Sequence, residues 1–395
     1  MVKNRNLFTR TSAFACELTL ARDGVEIARA ALKTDVAPLS EAEYPLPFPV
    51  QTRGGEYAVI ASFRLKERTA WAEPGFEVAF GQGVYRVEAP VKREKHAPLR
   101  VVYGSSNLGV HGEHFQALFS YNSGGMISYR YGGRELLKNV PMPNFWRAPT
   151  DNDRGNFMPQ RYAQWKLASL YATHRGGMDT ALDFPISVPA GMNEDGSVSI
   201  SFRYTLPTTP AAKCDVTYTV YPCGTVDVRL GYDPVEGLSP MPEFGMLLKL
   251  DADYDHVRWY GLGPDENYVD RREGARLGIW ERDIKDNVAR YLVPQECGNR
   301  TGVRWADVTD YRGRGLRFMG DGEGMEFSAL PYTPHELENA AHPYELPPVH
   351  YTVIRCALRQ MGVGGDDSWG ARTHDEYLID NTKRLEFHFS FKGIE

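Results

Sequence analysis

The chain's 395 residues are too many for one ordinary hydrophobic core, so two or more domains are expected. With 42% hydrophobic and 24% charged residues, the composition is that of a folded chain and not a disordered one. A net charge of −6, with acids and bases mixed throughout, excludes the basic stripe of a nucleic-acid binder, and no apolar run approaches the length that spans a bilayer.

The first segment reads as strands. Phe14, Cys16, Leu18 and Leu20 alternate with smaller or polar residues, and Tyr57, Val59, Ala61, Phe63 and Leu65 do so more clearly, which puts each set on one sheet face. Asp23-Gly24 is a hairpin signal and Pro45-Leu46-Pro47-Phe48-Pro49 a proline-rich connection. A small antiparallel sandwich is expected over 1–88. Pro90 and Pro98 flank a charged run, the pattern of an exposed linker over 89–98.

Strands resume over 99–395. Residues 122–125 form a turn that enters a strand, and 158–171 is the best helix candidate, with Tyr162, Trp165, Ala168 and Leu170 on one face. Residues 198–204, 216–220 and 226–230 alternate as strands, the last two joined by the turn 221–225, and 385–391 reads as a further strand. One large antiparallel sandwich with few helices is expected. The five cysteines are scattered, four of them in apolar or alternating settings. Cys214 and Cys223 are candidates to face each other across a hairpin. The odd count, and an N-terminus without a secretory apolar core, point to a reduced, cytoplasmic chain.

Three stretches are dense in chemistry. Asn144-Phe145-Trp146-Arg147-Ala148-Pro149-Thr150-Asp151-Asn152-Asp153-Arg154-Gly155-Asn156 fits no secondary-structure period and reads as a turn. Planar and charged groups at this density suit sugar recognition; a structural loop in which Arg147 and Asp151 satisfy each other is the plainer alternative. The second stretch runs Trp259-Tyr260-Gly261-Leu262-Gly263-Pro264-Asp265-Glu266-Asn267-Tyr268-Val269-Asp270-Arg271. It is no phosphate cradle, since no lysine follows the glycines, and Asp265 and Glu266, adjacent in sequence, pair for acid/base work only within a turn. The third, Met361-Gly362-Val363-Gly364-Gly365-Asp366-Asp367-Ser368-Trp369, reads as a tight exposed turn without the alternating oxygens of a calcium loop. His111-Gly112-Glu113-His114 lacks a helix or a third ligand to make a zinc site. No metal site is assigned.

In this order and spacing, the three stretches resemble the C-terminal part of the large bacterial β-galactosidases of glycoside hydrolase family 2. Pro294-Gln295-Glu296-Cys297-Gly298-Asn299-Arg300 is similar to a further segment of that family, and Val2-Lys3-Asn4-Arg5-Asn6-Leu7-Phe8 to the strand that follows its catalytic barrel. The resemblance implies an all-β chain, an immunoglobulin-like sandwich followed by a β-supersandwich. It implies a substrate-side loop carrying Arg147, Asp151, Asn152, Asp153 and Gly155, with Gly155 as pivot because both signs of φ are open to glycine. The family hydrolyses terminal β-galactosides with retention through two glutamates on a (β/α)8 barrel. No strand–helix alternation of a barrel is present here. The resemblance therefore implies a chain without catalytic residues or cofactors of its own, partnered by a barrel that holds magnesium and sodium, in an oligomer. Where well-known members carry a sugar-stacking tryptophan, this chain has Val353. Tyr351, on the same strand face, and Trp369 are the candidates for stacking. Aldose 1-epimerases share the supersandwich, which makes His350 with Glu345, or His374 with Glu376, the candidate pairs of the alternative, a free-standing sugar-handling protein; a carbohydrate-binding module using Trp146, Trp259 or Trp369 is the third.

Overall fold

The computed structural model describes residues 1–90, 96–174, 178–179, 184–185, 188–367 and 369–395. The middle of the expected linker, 91–95, and Ser368 of the third stretch lie outside the described residues. The chain forms two compact units, Met1–Glu94 with Arg276–Ile279, and Lys95–Ala275 with Trp280–Glu395.

In the first unit, four antiparallel strands lie in the order Val25–Leu32, Phe14–Arg22, Gly55–Leu65, Glu77–Val87. Cys16, Leu18 and Leu20 stand opposite Phe63, Ala61 and Val59, so both expected apolar sets share a face. Asp23 and Gly24, at φ 50° and 80°, make the two-residue turn. The remaining strands, Val2–Lys3 and Glu41–Ala42, form only a two-stranded ribbon.

The second unit is built on a nine-stranded antiparallel sheet. Its order is Val188–Met192, Val198–Leu206, Ala212–Val220, Val226–Tyr232, Leu385–Ile394, Gly315–Gly320, Trp305–Thr309, His256–Gly263 and Arg276–Asp283. Period 2 is strict through its centre. Val198, Ile200, Phe202, Tyr204 and Leu206 are buried, while Ser199 and Ser201 on the other face meet Thr219 and Thr217 at 3.0 and 2.7 Å. A five-stranded sheet runs Met142–Asn144, Glu243–Asp251, Tyr351–Gln360, Met325–Leu330, Arg300–Val303, and a third sheet, also of five strands, spans Arg100–Tyr103 to Arg134–Glu135. One apolar core joins them.

Two local expectations are corrected. The helix over 158–171 is two helices, Met158–Arg161 and Ala163–Tyr171, broken at Tyr162. Tyr162, Trp165 and Ala168 are buried as expected, but Leu170 is 44% exposed, because at about 100° per residue it lies roughly 140° from Trp165 and roughly 160° from Ala168 on the same helix. Cys214 lies opposite Tyr204 and Tyr232, not Cys223, which falls in the turn beyond the strand; all five thiols are free. Among the described residues no helix is long and apolar enough to cross a membrane.

Candidate functional site

The smaller sheet positions the site because it is covered on both faces. Phe244, Met246 and Leu248 on Glu243–Asp251, with Ile354 and Cys356 on Tyr351–Gln360, point into the core. The opposite face of the sheet carries Glu243 and Arg355 on these strands and Glu326 and Ser328 on the adjoining Met325–Leu330, all buried. Charge buried this deeply is tolerated only when paired. Arg355 donates to Glu243 at 2.9 Å, to Ser328 at 3.0 Å, and to Glu296. Asn144 donates its amide to Glu243 at 2.6 Å and to the Trp146 carbonyl at 2.7 Å.

Above this face sits the first dense stretch, which is more ordered than its residue types suggest. Asp151–Gly155 is a short helix. Thr150 accepts from the Asp153 amide at 3.1 Å and the Asp153 carboxylate accepts from the Thr150 amide at 2.9 Å, a capping box. Threonine three residues before an acid was the signal for it. The same carboxylate takes both short contacts from Arg147, at 2.9 and 3.0 Å, and neither partner is exposed. Arg147 therefore pairs with Asp153 and not with Asp151, because the capping turn folds Asp153 inward and leaves Asp151 at the surface. Asp151 instead meets Gln295, which accepts from its amide and donates to its carboxylate, each at 3.0 Å.

The four stretches converge on one another. The Arg147 guanidinium donates to the carbonyls of Met361 (2.7 Å) and Gly362 (3.0 Å), and Asn152 donates to that of Val363 (3.1 Å). From the other side the Asp270 carboxylate accepts from the amides of Val363 (3.0 Å) and Gly364 (2.8 Å). A cation on the carbonyls and an anion on the amides thus grip the same peptide segment. Gly362 is required by the grip: a Cβ there would lie 2.4 Å from Asp270 Oδ2. Glu266 accepts from Arg271, Tyr291 and the Gly298 amide, so it holds a turn, whereas Asp265 is exposed and faces Arg282. Asn299 donates to the Asn267 carbonyl and to Glu326, and Gln360 donates to both Glu296 and Asn299.

Burial sets the electrostatics. It pushes the Glu243 carboxyl up, against the pull of Arg355. Burial would draw the Arg355 guanidinium down, but Glu243 and Glu296 hold it above its ordinary value. Burial pushes Glu326 up to about 8, with hydrogen bonds from the Gln360 amide and Asn299 opposing. The folded chain thus keeps a proton on Glu326 that the unfolded chain releases near the ordinary 4.5. The stability this contributes is present below the ordinary value, declines as pH rises between the two, and is gone above about 8. Glu326→Gln, which keeps an acceptor for both donors, should flatten the fall in Tm across this window. Superimposable Tm-against-pH curves for the two proteins would refute it.

The other candidates are dispersed. Tyr351 is half-buried, its hydroxyl donates to Glu336, and Lys249 Nζ sits 4.0 Å from its ring centroid, so one ring face is already occupied. Val353 is buried on the same sheet face. Trp146 and Trp259 are core residues; Trp369 is 93% exposed, its amide bonded to Asp367 at 2.8 Å. Glu345 contacts His342 and not His350, and His374 pairs more closely with Asp366 than with Glu376, 3.8 Å away. Gly155 is helical, without positive φ, and packs against Gly370: its Cβ would meet Gly370 Cα at 3.8 Å. Two residues on, Phe157 has φ 60° and ψ 29°, a left-handed conformation that costs a non-glycine residue about 1–2 kcal/mol. Glu243, Glu326 and Arg355 were not singled out by sequence, and Asp270 entered only as a member of the second dense stretch. Arg355, a lone charge between Ile354 and Cys356, and Glu326, one between Met325 and Phe327, carried a local signal. Among the described residues no three His, Cys, Asp or Glu side chains are grouped to hold a metal.

Comparison with known proteins fits this arrangement. The family profile described as beta galactosidase small chain matches residues 111–392, and that of beta-galactosidase domain 4 matches 1–85. A beta-galactosidase of Halalkalibacterium halodurans is 43% identical over all of this chain, which spans 38% of that protein's length. A beta-galactosidase small subunit of Latilactobacillus sakei is 36% identical over 74% of this chain and 98% of its own. Among solved structures, galactose 1-epimerase of Lactobacillus acidophilus covers 75% of this chain and 98% of its own at 6% identity and a TM-score of 0.42, too weak a likeness to bear on function. The two gripped loops and the charged sheet face beneath them all fall inside the small-chain match, and the chain belongs to the β-galactosidase small-chain family.

Proposed function

We propose that this chain is the non-catalytic C-terminal part, or small subunit, of a retaining β-galactosidase of glycoside hydrolase family 2, and that it completes one wall of the active site. The observation that carries this is the convergence of residues 144–156, 259–271, 294–300 and 360–364 on one buried network, which holds a polar loop at fixed height above a rigid sheet. In this reading the partner is a (β/α)8 barrel, as a further domain or a large subunit. That barrel supplies the two glutamates and holds the magnesium and sodium ions. This chain's residues shape and position: Arg147 and Asp153 set the loop, Asn152 ties it to Val363, Asp151 faces outward on it, and Gly155 is its pivot toward a terminal β-galactoside such as lactose. Trp369 is the ring free for stacking; Tyr351 contributes less, with one face under Lys249. The first unit is an immunoglobulin-like spacer, and the assembled enzyme is a cytoplasmic oligomer.

The test is reconstitution. The purified chain should not cleave a chromogenic β-galactoside, and mixing it with a matching barrel fragment should produce turnover. Turnover by the pure chain, or none by the mixture when both parts are folded and associated, overturns the reading.

A further inference from the structure

Phe157 is a residue the fold does not need. It is 64% exposed, so its ring adds little to the core, yet its backbone is left-handed, where glycine or asparagine would sit with less strain. The conformation is held from both sides. The Phe157 amide donates to the Arg154 carbonyl at 3.2 Å and its carbonyl accepts from the Arg161 amide at 3.0 Å. Arg161 also donates to the Asn156 carbonyl at 3.1 Å and to its side-chain oxygen at 2.6 Å. The left-handed turn projects the ring at the end of the helix that carries Asp151 and Asn152.

A second exposed ring starts from the same place. Gly370 packs on the backbone of Gly155 and Asn156: a Cβ on Gly370 would meet the Gly155 carbonyl oxygen at 2.8 Å and Asn156 Cα at 3.7 Å. Asn156 donates to the Ala371 carbonyl at 3.4 Å. Phe157 follows Asn156 and Trp369 precedes Gly370, so the two Cα atoms lie within about 13 Å of each other by chain geometry. Asp367 fixes the base of Trp369 by accepting from the amides of Trp369 and Ala371.

We propose that Phe157 is a sugar-contacting, specificity-determining residue, whose ring and that of Trp369, mounted on either side of the Gly155–Gly370 contact, receive the apolar C–H face of a saccharide. It rests on the reading of the chain as one wall of a β-galactosidase site. Backbone strain kept at an exposed aromatic is the mark of a residue retained for contact, and flat rings meet sugar faces with little loss of side-chain freedom. The flanking acids, Asp151 and Asp366, supply acceptors for hydroxyl groups at the rim.

The test uses the enzyme reconstituted from the full chain and a barrel fragment, with Phe157→Ala, Phe157→Tyr and Trp369→Ala. For lactose, Phe157→Ala should raise KM roughly three- to tenfold, with the loss carried by KM and not kcat. Phe157→Tyr should restore it, and Phe157→Ala with Trp369→Ala together should exceed either alone. An unaltered KM in Phe157→Ala overturns the proposal while wild-type turnover leaves the broader reading standing. Weakened association with the barrel in Phe157→Ala, measured by ultracentrifugation, also overturns it, because the ring then contacts protein. If the wild-type mixture is inactive, saturation-transfer NMR of the chain with lactose decides. Transfer lost in Phe157→Ala supports the contact, and no transfer to the wild-type chain ends it.

Discussion

Replacing Arg355 with alanine is expected to cost roughly 3–5 kcal/mol of folding stability, a large part of what an ordinary domain possesses. The expectation follows from what the guanidinium leaves behind. Glu243 and Glu296 are both buried and both receive it, and Ser328 loses its donor as well. Either carboxylate must then take up a proton or stay charged in a medium that cannot solvate it. Converting the partners should return much of the loss: Arg355→Met with Glu243→Gln and Glu296→Gln removes the charges that make the single change severe. Urea unfolding of the purified chain measures both. A loss under about 1 kcal/mol for Arg355→Ala would mean that water reaches the face and solvates the pair, contrary to its burial.

Arg147→Ala should act more locally and cost about 3 kcal/mol or more. It strands the Asp153 carboxylate, which keeps only the Thr150 amide, and it releases the carbonyls of Met361 and Gly362. Lysine should rescue poorly, since one ammonium cannot span a carboxylate and two carbonyls as a planar fork does. Hydrogen exchange separates this variant from Arg355→Ala. The amides of 363–371 should lose protection while those of the nine-stranded sheet keep theirs. If exchange rises uniformly, or only in 150–156, the two loops are not one mechanical unit and the grip by Arg147 and Asp270 is incidental.

Fold class was legible because strands write themselves as a period of two: Val198 to Leu206 and Leu385 to Ile394 alternate in sequence as they do in space. Local detail was legible where chemistry is local, as in the Asp23-Gly24 turn. It failed where one residue redirects a backbone. Tyr162 splits a helix that the pattern runs through, and the Thr150–Asp153 cap chooses which aspartate Arg147 meets. The site itself was legible only as four stretches that resemble one family. Glu243 and Arg355 stand 112 residues apart, and Asp270 and Val363 are separated by 93. Their meeting depends on strand register, which no window of sequence contains.

The place of strand Leu385–Ile394 has a consequence for how the chain is made. It lies between Val226–Tyr232 and Gly315–Gly320 and is the only described strand that joins these two runs of the large sheet. During synthesis both runs emerge first, each with an open edge of unpaired amides and carbonyls and a face of bare Val, Leu and Phe side chains. The sheet cannot close until this strand leaves the ribosome and inserts between partners made long before it. Until then the nascent chain is a pair of sticky half-sheets, and slow translation or crowding with sister chains should favour mispairing at those two edges over the native closure.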